Sequence, residues 1–279
     1  MTKKKFATIM VMAVLAFALA ACGSSGNGNG GDADKNAAGE NNSGDKSGES
    51  SGKQLIVATD NSFVPFEFLN KDTGEIQGFD IDLIRAVAKE ANLNIKIKPM
   101  DFKGVLAGLK SGRWDMGIAG ITITEERDQS IDFSDPYYDA GIILAVQANN
   151  SEIKSVDDLA GKTVATRTGT TSQYYLEDNV PKAKIKTYPK ITQAYQSLAT
   201  GRVDAVLYDL PNVKYYIKTK GDGKLKTVGD RLTAEQYGIA FQEDSKLVDK
   251  VNEALAAIKE NGTYKEIYEK WFGKMPESK

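Results

Sequence analysis

A short polar stretch near the middle of the chain combines the groups needed to bind a free amino acid. Ala119-Gly120-Ile121-Thr122-Ile123-Thr124-Glu125-Glu126-Arg127 follows an apolar run that predicts a strand. A ligand carboxylate would meet the backbone N–H groups of a helix N-terminus and the planar guanidinium of Arg127. A ligand ammonium would find acceptors in the Gly120 carbonyl and the Thr122 hydroxyl. The alternative is a capping box, Thr122-x-x-Glu125, with Arg127 as an exposed charge.

A second stretch with anion-binding character lies further along the chain. Thr166-Arg167-Thr168-Gly169-Thr170-Thr171-Ser172 follows a predicted strand over 163–166 and precedes a helix predicted to begin near Ser172. Hydroxyl groups, backbone N–H groups and the Arg167 guanidinium converge there, as anion sites require. The alternative is a well-capped helix without a ligand.

An internal repeat predicts that these two stretches occupy equivalent places. Leu109-x-Ser111-Gly112-Arg113-x-Asp115 recurs as Leu198-x-Thr200-Gly201-Arg202-x-Asp204. Each copy ends a predicted helix with Gly and Arg and enters a strand through Asp. The strands then end at Ala119 and Gly120 in one copy and at Tyr208 and Asp209 in the other, where α/β sheets bind ligands. We therefore predict two similar lobes.

The elements that must position these residues alternate between strand and helix patterns. Strands are predicted over 54–59, 94–98 and 115–119, and helices over 83–91 and 105–111. This alternation is typical of α/β layering with parallel strands. The chain beyond residue 53 has about 225 residues, enough for one or two domains with a substantial core.

Composition argues against several kinds of chemistry. The chain contains no histidine, which removes the commonest general base and the commonest transition-metal ligand. It has no Gly-x-Ser-x-Gly elbow and a single cysteine. We expect neither a metal nor a cofactor. The formal charge of −2 becomes −5 when three N-terminal lysines leave with the signal predicted below, which argues against a nucleic-acid partner.

The N-terminus has the pattern of an exported lipoprotein. Three lysines, Lys3 to Lys5, precede an apolar run that ends at Ala21, the order of a secretory signal and too short for a comfortable membrane span. The run ends in Leu19-Ala20-Ala21-Cys22, which resembles the lipobox of bacterial lipoproteins. The alternative is an uncleaved signal anchor with an incidental cysteine.

These features predict a signal peptide over 1–21, and a lipidated Cys22 with a disordered tether over 22–53. The tether is composed of Gly, Ser, Asn, Asp, Glu and Lys with almost nothing apolar, so it cannot bury enough surface to fold. The expected location is the outer face of the bacterial cytoplasmic membrane, with Cys22 carrying the lipid anchor.

Six motifs in one order resemble polar amino-acid-binding proteins of bacterial ABC importers, and most of all the members that bind glutamine. The resemblance covers residues 54 to 273 and is carried by Asp60-x-x-Phe63-Val64-Pro65-Phe66-Glu67-Phe68, Gly78-Phe79-Asp80-Ile81-Asp82-Leu83, Lys98-Pro99-Met100-Asp101-Phe102, the 119–127 stretch, Asp132-Phe133-Ser134-Asp135 and Gln236-Tyr237-Gly238-Ile239-Ala240-Phe241.

The resemblance implies an α/β two-lobe fold of the type II periplasmic binding proteins. Lobe 1 would comprise 54–136 and 238–279, and lobe 2 would comprise 142–232. Hinges at 137–141 and 233–237 would join them, with the amino acid enclosed between the lobes. The implied protein is monomeric, is not an enzyme, and delivers its ligand to the membrane permease subunits of an ABC importer.

The resemblance also assigns roles at the α-amino and α-carboxylate end of the ligand. Arg127 would clamp the carboxylate with help from the backbone N–H groups of Thr122 and Thr171. The Gly120 carbonyl, the Thr122 hydroxyl and the Asp209 carboxylate would hold the ammonium.

At the other end of the ligand, Asp60 and Arg167 would address the side chain. Phe63 and Phe102 would sandwich its aliphatic stem, although two aromatics of this kind are also ordinary core residues. The predicted ligand-binding set is completed by Ala119, Thr170 and Tyr208.

The residues at the side-chain end of the site, Asp60 and Arg167, predict L-glutamine as the ligand. Asp60 would accept from a carboxamide nitrogen while Arg167 donates to the carboxamide oxygen. Three positions depart from the glutamine-binding members, because Arg167, Tyr208 and Thr171 stand where those proteins have Lys, His and Gly. Arg and Lys are not interchangeable in a polar cleft, so glutamate and arginine are alternative ligands.

One alternative function belongs to another class. Dehydratases of cyclic acids, such as cyclohexadienyl dehydratase, resemble the same two-lobe scaffold. Such an enzyme needs a general acid at the reacting carbon, and the candidates in this sequence are Asp60, Asp209 and Tyr208. A ligand recovered unchanged would distinguish capture from catalysis.

Overall fold

The computed structural model describes residues 53–275. The predicted signal peptide, Cys22 and nearly all of the tether lie outside the described residues. Within the described range, no helix combines the length and the apolar character needed to cross a membrane.

The first of two five-stranded sheets combines strands from both ends of the described chain. In spatial order the strands are β5 (Ile95–Met100), β1 (Leu55–Asp60), β6 (Met116–Gly117), β15 (Ala240–Gln242) and β7 (Ile131–Phe133). Both neighbours of β1 run parallel to it, whereas β15 runs antiparallel to β6 and β7.

The second sheet repeats this arrangement with the middle of the chain. In spatial order the strands are β11 (Lys184–Tyr188), β10 (Thr163–Arg167), β12 (Ala205–Asp209), β9 (Ile142–Gln147) and β13 (Leu225–Val228). The second strand, β10, pairs in parallel with both neighbours, and the fourth strand, β9, is antiparallel to β12 and β13. We call the parts of the protein around these sheets lobe 1 and lobe 2.

The internal repeat has a physical counterpart in the two sheets. The carboxylate of Asp115, just before β6, accepts a hydrogen bond from the Ile56 backbone N–H at 2.8 Å. The carboxylate of Asp204, just before β12, accepts one from the Thr163 backbone N–H at 2.7 Å. Each Asp therefore links the start of the third strand of its sheet to the start of the second strand. The third strands of the two sheets lead to the same cleft.

Two short strands carry the chain between the sheets. The chain leaves lobe 1 through β8 (Tyr138–Ala140) and returns through β14 (Glu235–Tyr237), and these two strands pair with each other in an antiparallel ladder. A small sheet of β2 (Ser62–Phe63), β3 (Glu67–Leu69) and β4 (Ile76–Gln77) extends lobe 1 beside the cleft.

Eight α-helices cover the sheets in the described chain. Helix α1 (Phe79–Glu90) buries Phe79, Leu83, Ile84 and Val87, whose spacing of three and four places them on one face. That face packs against the two C-terminal helices. The helices are α1 (Phe79–Glu90), α2 (Phe102–Lys110), α3 (Glu125–Asp128), α4 (Thr171–Asn179), α5 (Ile191–Ala199), α6 (Leu210–Lys220), α7 (Val248–Glu260) and α8 (Thr263–Phe272), and a 3-10 turn covers Val156–Leu159.

An aromatic cluster lies under the crossover strands. The Phe66 ring centroid lies 5.0 Å from that of Phe63, 5.0 Å from that of Tyr138 and 5.5 Å from that of Tyr237. Stacked and edge-to-face pairs of this kind stabilise by about 0.5–1.5 kcal/mol each beyond their burial. They hold β8 and β14 against the floor of the cleft.

Candidate functional site

One cleft between the lobes contains eleven of the twelve residues that the sequence predicts for ligand binding. Its cavity is small, about 10 Å³, roughly the room for one water. The lobes must therefore part to admit an amino acid. The lining residues are Phe63, Phe102, Ala119, Gly120, Thr122, Arg127, Arg167, Thr170, Thr171, Tyr208 and Asp209. The twelfth, Asp60, contacts this lining through Arg167.

Arg127 is buried rather than exposed, with 6% of its surface accessible. Its Nη1 donates to the Thr122 carbonyl at 2.8 Å, which fixes the guanidinium at the cleft. The capping box predicted as the alternative is wrong, because the helix begins at Glu125 and the Thr124 side chain caps it by accepting from the Arg127 N–H. Burial lowers the pKa of Arg127, and the Asp209 and Glu235 carboxylates partly offset this effect. Arginine stays protonated in proteins despite such a shift, so Arg127 remains a cation.

Gly120 makes the turn that ends the lobe 1 strand at the cleft. Its φ of +52° favours glycine, and an added Cβ would lie 2.4 Å from the Phe63 ring. The Gly120 N–H donates to the buried Asp80 carboxylate at 2.9 Å, and the Tyr137 hydroxyl donates to the same oxygen at 2.9 Å. Burial raises the pKa of Asp80 to about 6. Asp80 thus positions the Gly120 peptide unit, a role that sequence reasoning missed.

The turn from β10 to α4 brings lobe 2 to the cleft. The Thr170 hydroxyl donates to the Arg167 carbonyl at 2.8 Å and closes the turn, and the helix begins at Thr171, one residue before the predicted start. Thr171 therefore presents its backbone N–H in the first turn of α4, where helix N–H groups have no partner within the helix.

Asp60 and Arg167 form a buried ion pair between the lobes. Arg167 Nη1 lies 2.7 Å from Asp60 Oδ2, and the two side chains are 3% and 1% exposed. Among the described residues, Asp60 Oδ1 is buried and has no hydrogen-bond partner. Burial lowers the pKa of Arg167, but Tyr208 and the Asp60 carboxylate outweigh this and the net pKa is raised.

Phe102 lies between the two guanidinium groups of the cleft. Its ring centroid is 5.7 Å from Cζ of Arg127 and 5.2 Å from Cζ of Arg167, within cation–π range. Phe63 lines the same cavity and meets the Tyr208 ring edge-on at 5.9 Å. Burial raises the pKa of Tyr208, so its phenol is neutral at pH 7.

Asp209 is the acidic group of lobe 2 in the cleft. The Tyr237 hydroxyl donates to one of its oxygens in a short hydrogen bond, and the Ser172 hydroxyl donates to the other at 3.4 Å. Burial, together with the Glu235 carboxylate, raises the pKa of Asp209 to about 7. Both bonds come from neutral donors, so a cation is the complementary group for this carboxylate.

Glu235 is the second cleft residue that sequence reasoning missed. Its Oε2 accepts from the Thr122 hydroxyl at 3.2 Å and from the Thr171 hydroxyl at 3.1 Å. Glu235 and Tyr237 lie two positions apart on β14, so their side chains point to the same face of the strand, toward the cleft. That alternation was a signal available in the sequence, once the segment was taken as a strand.

The match to a family model covers nearly all of the described chain. Residues 55–274 match the model of bacterial extracellular solute-binding proteins, family 3. The arginine-binding extracellular protein of Bacillus subtilis (strain 168) is 36% identical over 240 residues, covering 85% of this chain and 91% of that protein. The L-cystine-binding protein of Escherichia coli (strain K12) is 34% identical over 221 residues, covering 78% of this chain and 82% of that protein.

A solved structure of similar sequence has the same fold. An ancestral arginine-binding protein bound to glutamine is 43% identical to this chain and has a TM-score of 0.74. The likeness covers 79% of this chain and 98% of that one. The similarity therefore extends through both lobes and the cleft between them.

Proposed function

The chain belongs to the bacterial extracellular solute-binding proteins of family 3 and has their two-lobe α/β fold, and we propose that it captures free L-glutamine between its lobes. It is an amino-acid-binding protein of an ABC transporter, and we propose that it hands the ligand to the membrane permease subunits of the importer. The proposal rests on the convergence of Arg127, Asp209 and the Asp60–Arg167 pair in one buried cleft.

The α-end of the ligand is bound by opposite charges from the two lobes. Arg127 in lobe 1 pairs with the carboxylate, supported by the backbone N–H groups of Thr122 and Thr171. Asp209 in lobe 2 pairs with the ammonium, supported by the Gly120 carbonyl and the Thr122 hydroxyl. Both charges are at least nine-tenths buried, where charge-assisted hydrogen bonds are strong.

The side-chain end supports a neutral carboxamide. The Asp60 carboxylate and the Arg167 guanidinium neutralise each other, so an added charge on the ligand would lack a counter-charge there. The buried Oδ1 of Asp60 is an acceptor for a carboxamide N–H. Arg167 has five N–H donors, more than its bonds to Asp60 and to the Pro189 carbonyl use, and one of them serves the carboxamide oxygen.

Arginine is the second candidate ligand, and the charges of the five residues proposed to contact or surround the ligand favour it. Glu235 adds a third carboxylate to Asp60 and Asp209, whereas Arg127 and Arg167 are the two cations. A ligand of charge +1 would balance the resulting excess of one negative charge. The B. subtilis relative is named as arginine-binding, which points the same way. We place glutamine first because Glu235 lies at the α-end, away from the side-chain end.

The anchor, the lobe boundaries and the hinges are further parts of the proposal. We propose that Cys22 carries lipid and holds a monomeric protein at the outer face of the cytoplasmic membrane. We propose that residues 54–136 and 238–279, of which 276–279 lie outside the described residues, form one moving body and that residues 142–232 form the other. The hinges are 137–141 and 233–237, which contain the paired strands β8 and β14.

A screen of the twenty amino acids and cystine by thermal shift tests the function as a whole. A bound ligand raises the melting temperature according to its concentration relative to Kd. We expect glutamine to give the largest shift and to be recovered unchanged by mass spectrometry. A ligand recovered as a different compound would instead support the dehydratase-like enzyme, and no shift with any amino acid would refute capture.

A further inference from the structure

A single carboxylate oxygen of Glu235 connects the two lobes. Oε2 lies 3.2 Å from the Thr122 hydroxyl and 3.1 Å from the Thr171 hydroxyl. Thr122 lies in lobe 1 beyond β6, and Thr171 is the first residue of α4 in lobe 2. Glu235 belongs to neither sheet, because β14 is the strand that crosses between them. The three side chains therefore meet only when the lobes are together.

The backbone around Glu235 fixes the position of its side chain. Thr122 bridges to Tyr237 in antiparallel fashion, and the Ile123 N–H donates to the Gln236 carbonyl at 2.9 Å. The segment that carries Thr122 thus runs alongside β14 as an additional strand would. Glu235 is half-buried on the cleft face of β14, whereas the neighbouring Gln236 is exposed and donates to Asp139.

The hydrogen bond to Glu235 also orients the Thr122 hydroxyl. A hydroxyl has one hydrogen to donate and two lone pairs. Donation to Glu235 commits that hydrogen, so the lone pairs of Thr122 are the only function it can offer to another group. An ammonium requires an acceptor of this kind, and a free hydroxyl rotor would have to be ordered at the moment of binding.

We propose that Glu235 is a positioning residue that holds the lobes together over the bound amino acid and orients the Thr122 hydroxyl toward the ligand ammonium. This inference rests on the proposed function, since it concerns the same cleft. The hydrogen bonds from Thr122 and Thr171 to Glu235 form after the ligand has entered and the lobes have closed. They therefore slow ligand release and leave the association rate nearly unchanged.

The test uses Glu235→Ala, Glu235→Gln, Thr171→Val and the double variant Glu235→Ala/Thr171→Val. Thr171→Val removes the hydroxyl but keeps the backbone N–H proposed for the carboxylate. Association and dissociation rates are measured by stopped-flow with L-glutamine and L-arginine. Thr200→Val is the matched control, since Thr200 is exposed and its hydroxyl donates to carbonyls at the end of its own helix.

We expect Thr171→Val to release the ligand roughly 10-fold faster, because it loses one hydrogen bond to a charged group. Glu235→Ala should release it at least as fast, because it loses that bond and the bond from the Thr122 hydroxyl. The association rate should change by less than about 3-fold. The double variant should resemble Glu235→Ala alone, because Glu235→Ala already removes the hydrogen bond that Thr171→Val removes. Glu235→Gln retains an acceptor oxygen and should release more slowly than Glu235→Ala.

Three results would overturn the inference. Unchanged ligand release in both single variants would show that Glu235 does not hold the closed lobes together. Additive effects in the double variant would mean that the two residues act separately. Equal effects of Glu235→Ala and Glu235→Gln with a silent Thr171→Val would show that Glu235 acts through its charge on Asp209. Failure of the unmodified protein to bind any amino acid is a different outcome, which refutes the proposed function itself.

Discussion

Arg167 Nη1 lies 2.7 Å from Asp60 Oδ2, and these two residues come from equivalent strands of the two lobes. Asp60 is the last residue of β1, and Arg167 is the last residue of β10. Both strands occupy the second position of their sheets. The internal repeat therefore places an acidic and a basic residue opposite each other across the cleft. Breaking a buried pair of this kind by removing one partner costs about 3–5 kcal/mol, because the other charge is left without compensation.

Replacement of Arg127 should strongly weaken the binding of every α-amino acid. Arg127→Ala leaves the ligand carboxylate buried without its cation, which costs on the order of 2–5 kcal/mol or about 30- to 5,000-fold in Kd. Calorimetric titration of the purified variant measures the loss. Arg85→Ala, an exposed arginine on α1, is the matched control and should bind as the unmodified protein does. Near-native affinity of Arg127→Ala would contradict the carboxylate role.

Ligand affinity should rise with pH up to neutrality and then level off. The pKa of Asp209 is about 7 when no ammonium is present, so its protonated form dominates below that pH. The ligand ammonium favours the ionised form, and binding below pH 7 therefore releases a proton. We expect Kd to weaken by up to about 10-fold per pH unit below 7. Titrations in buffers of different ionisation enthalpy count the released proton.

Asp209→Asn provides the control for this pH dependence. It should bind weakly, because the ammonium loses its counter-charge, and its Kd should vary little between pH 5 and 8. A variant that retained the pH dependence would assign the titration to another group, with Asp80 the next candidate because its pKa is about 6.

The sequence predicted the repeated architecture and the residues that line the cleft, but it missed residues whose contacts depend on the crossover strands. Asp115 and Asp204 repeat at the same distance from a helix end, and a local pattern of this kind can be read from the chain. Glu235 is separated from Thr122 by 113 residues and from Thr171 by 64, so no local spacing relates them.

Element boundaries differ from prediction for local reasons. The strand predicted over 115–119 is reduced to Met116–Gly117, because the Asp115 carboxylate binds a neighbouring backbone N–H and Gly120 turns the chain. Helix α1 begins at Phe79, four residues before the predicted start, since Gly78 serves as its N-cap and acidic residues occupy the first turn. The small sheet β2–β4 was not predicted, and its strands of two or three residues are too short for a recognisable alternation.

Binding should close the lobes. Arg127 and Asp209 lie in different lobes, and only the closed arrangement brings both to one amino acid. Contacts such as the 2.6 Å hydrogen bond from Asn212 Nδ2 to the Val64 carbonyl also exist only when the lobes meet. We expect small-angle scattering to give a smaller radius of gyration with saturating ligand than without. An equal radius in both conditions would place the ligand-free protein already in the closed state.

Removal of the lipid acceptor should change location and leave binding intact. Cys22→Ser should move the exported protein from the membrane fraction to the soluble fraction, since a lipidated cysteine is the proposed attachment. Its Kd for the ligand should equal that of the unmodified protein. A Cys22→Ser variant that still sediments with membranes would support the uncleaved signal anchor instead.

The identity of the preferred ligand depends on the charges of Asp60 and Arg167 at the side-chain end of the cleft. A side-chain end neutralised by Asp60 and Arg167 favours a carboxamide, and a site built for hydrogen bonds can reject ligands that leave its buried groups unpaired by about 10⁴-fold. Calorimetric titration with glutamine, glutamate, asparagine, arginine and cystine compares the candidates in one experiment. We predict that glutamine binds with a Kd of about 1 μM or tighter, about −8 kcal/mol, and more tightly than the other four. Tighter binding of arginine, glutamate or cystine would contradict the proposed balance of charges at Asp60 and Arg167.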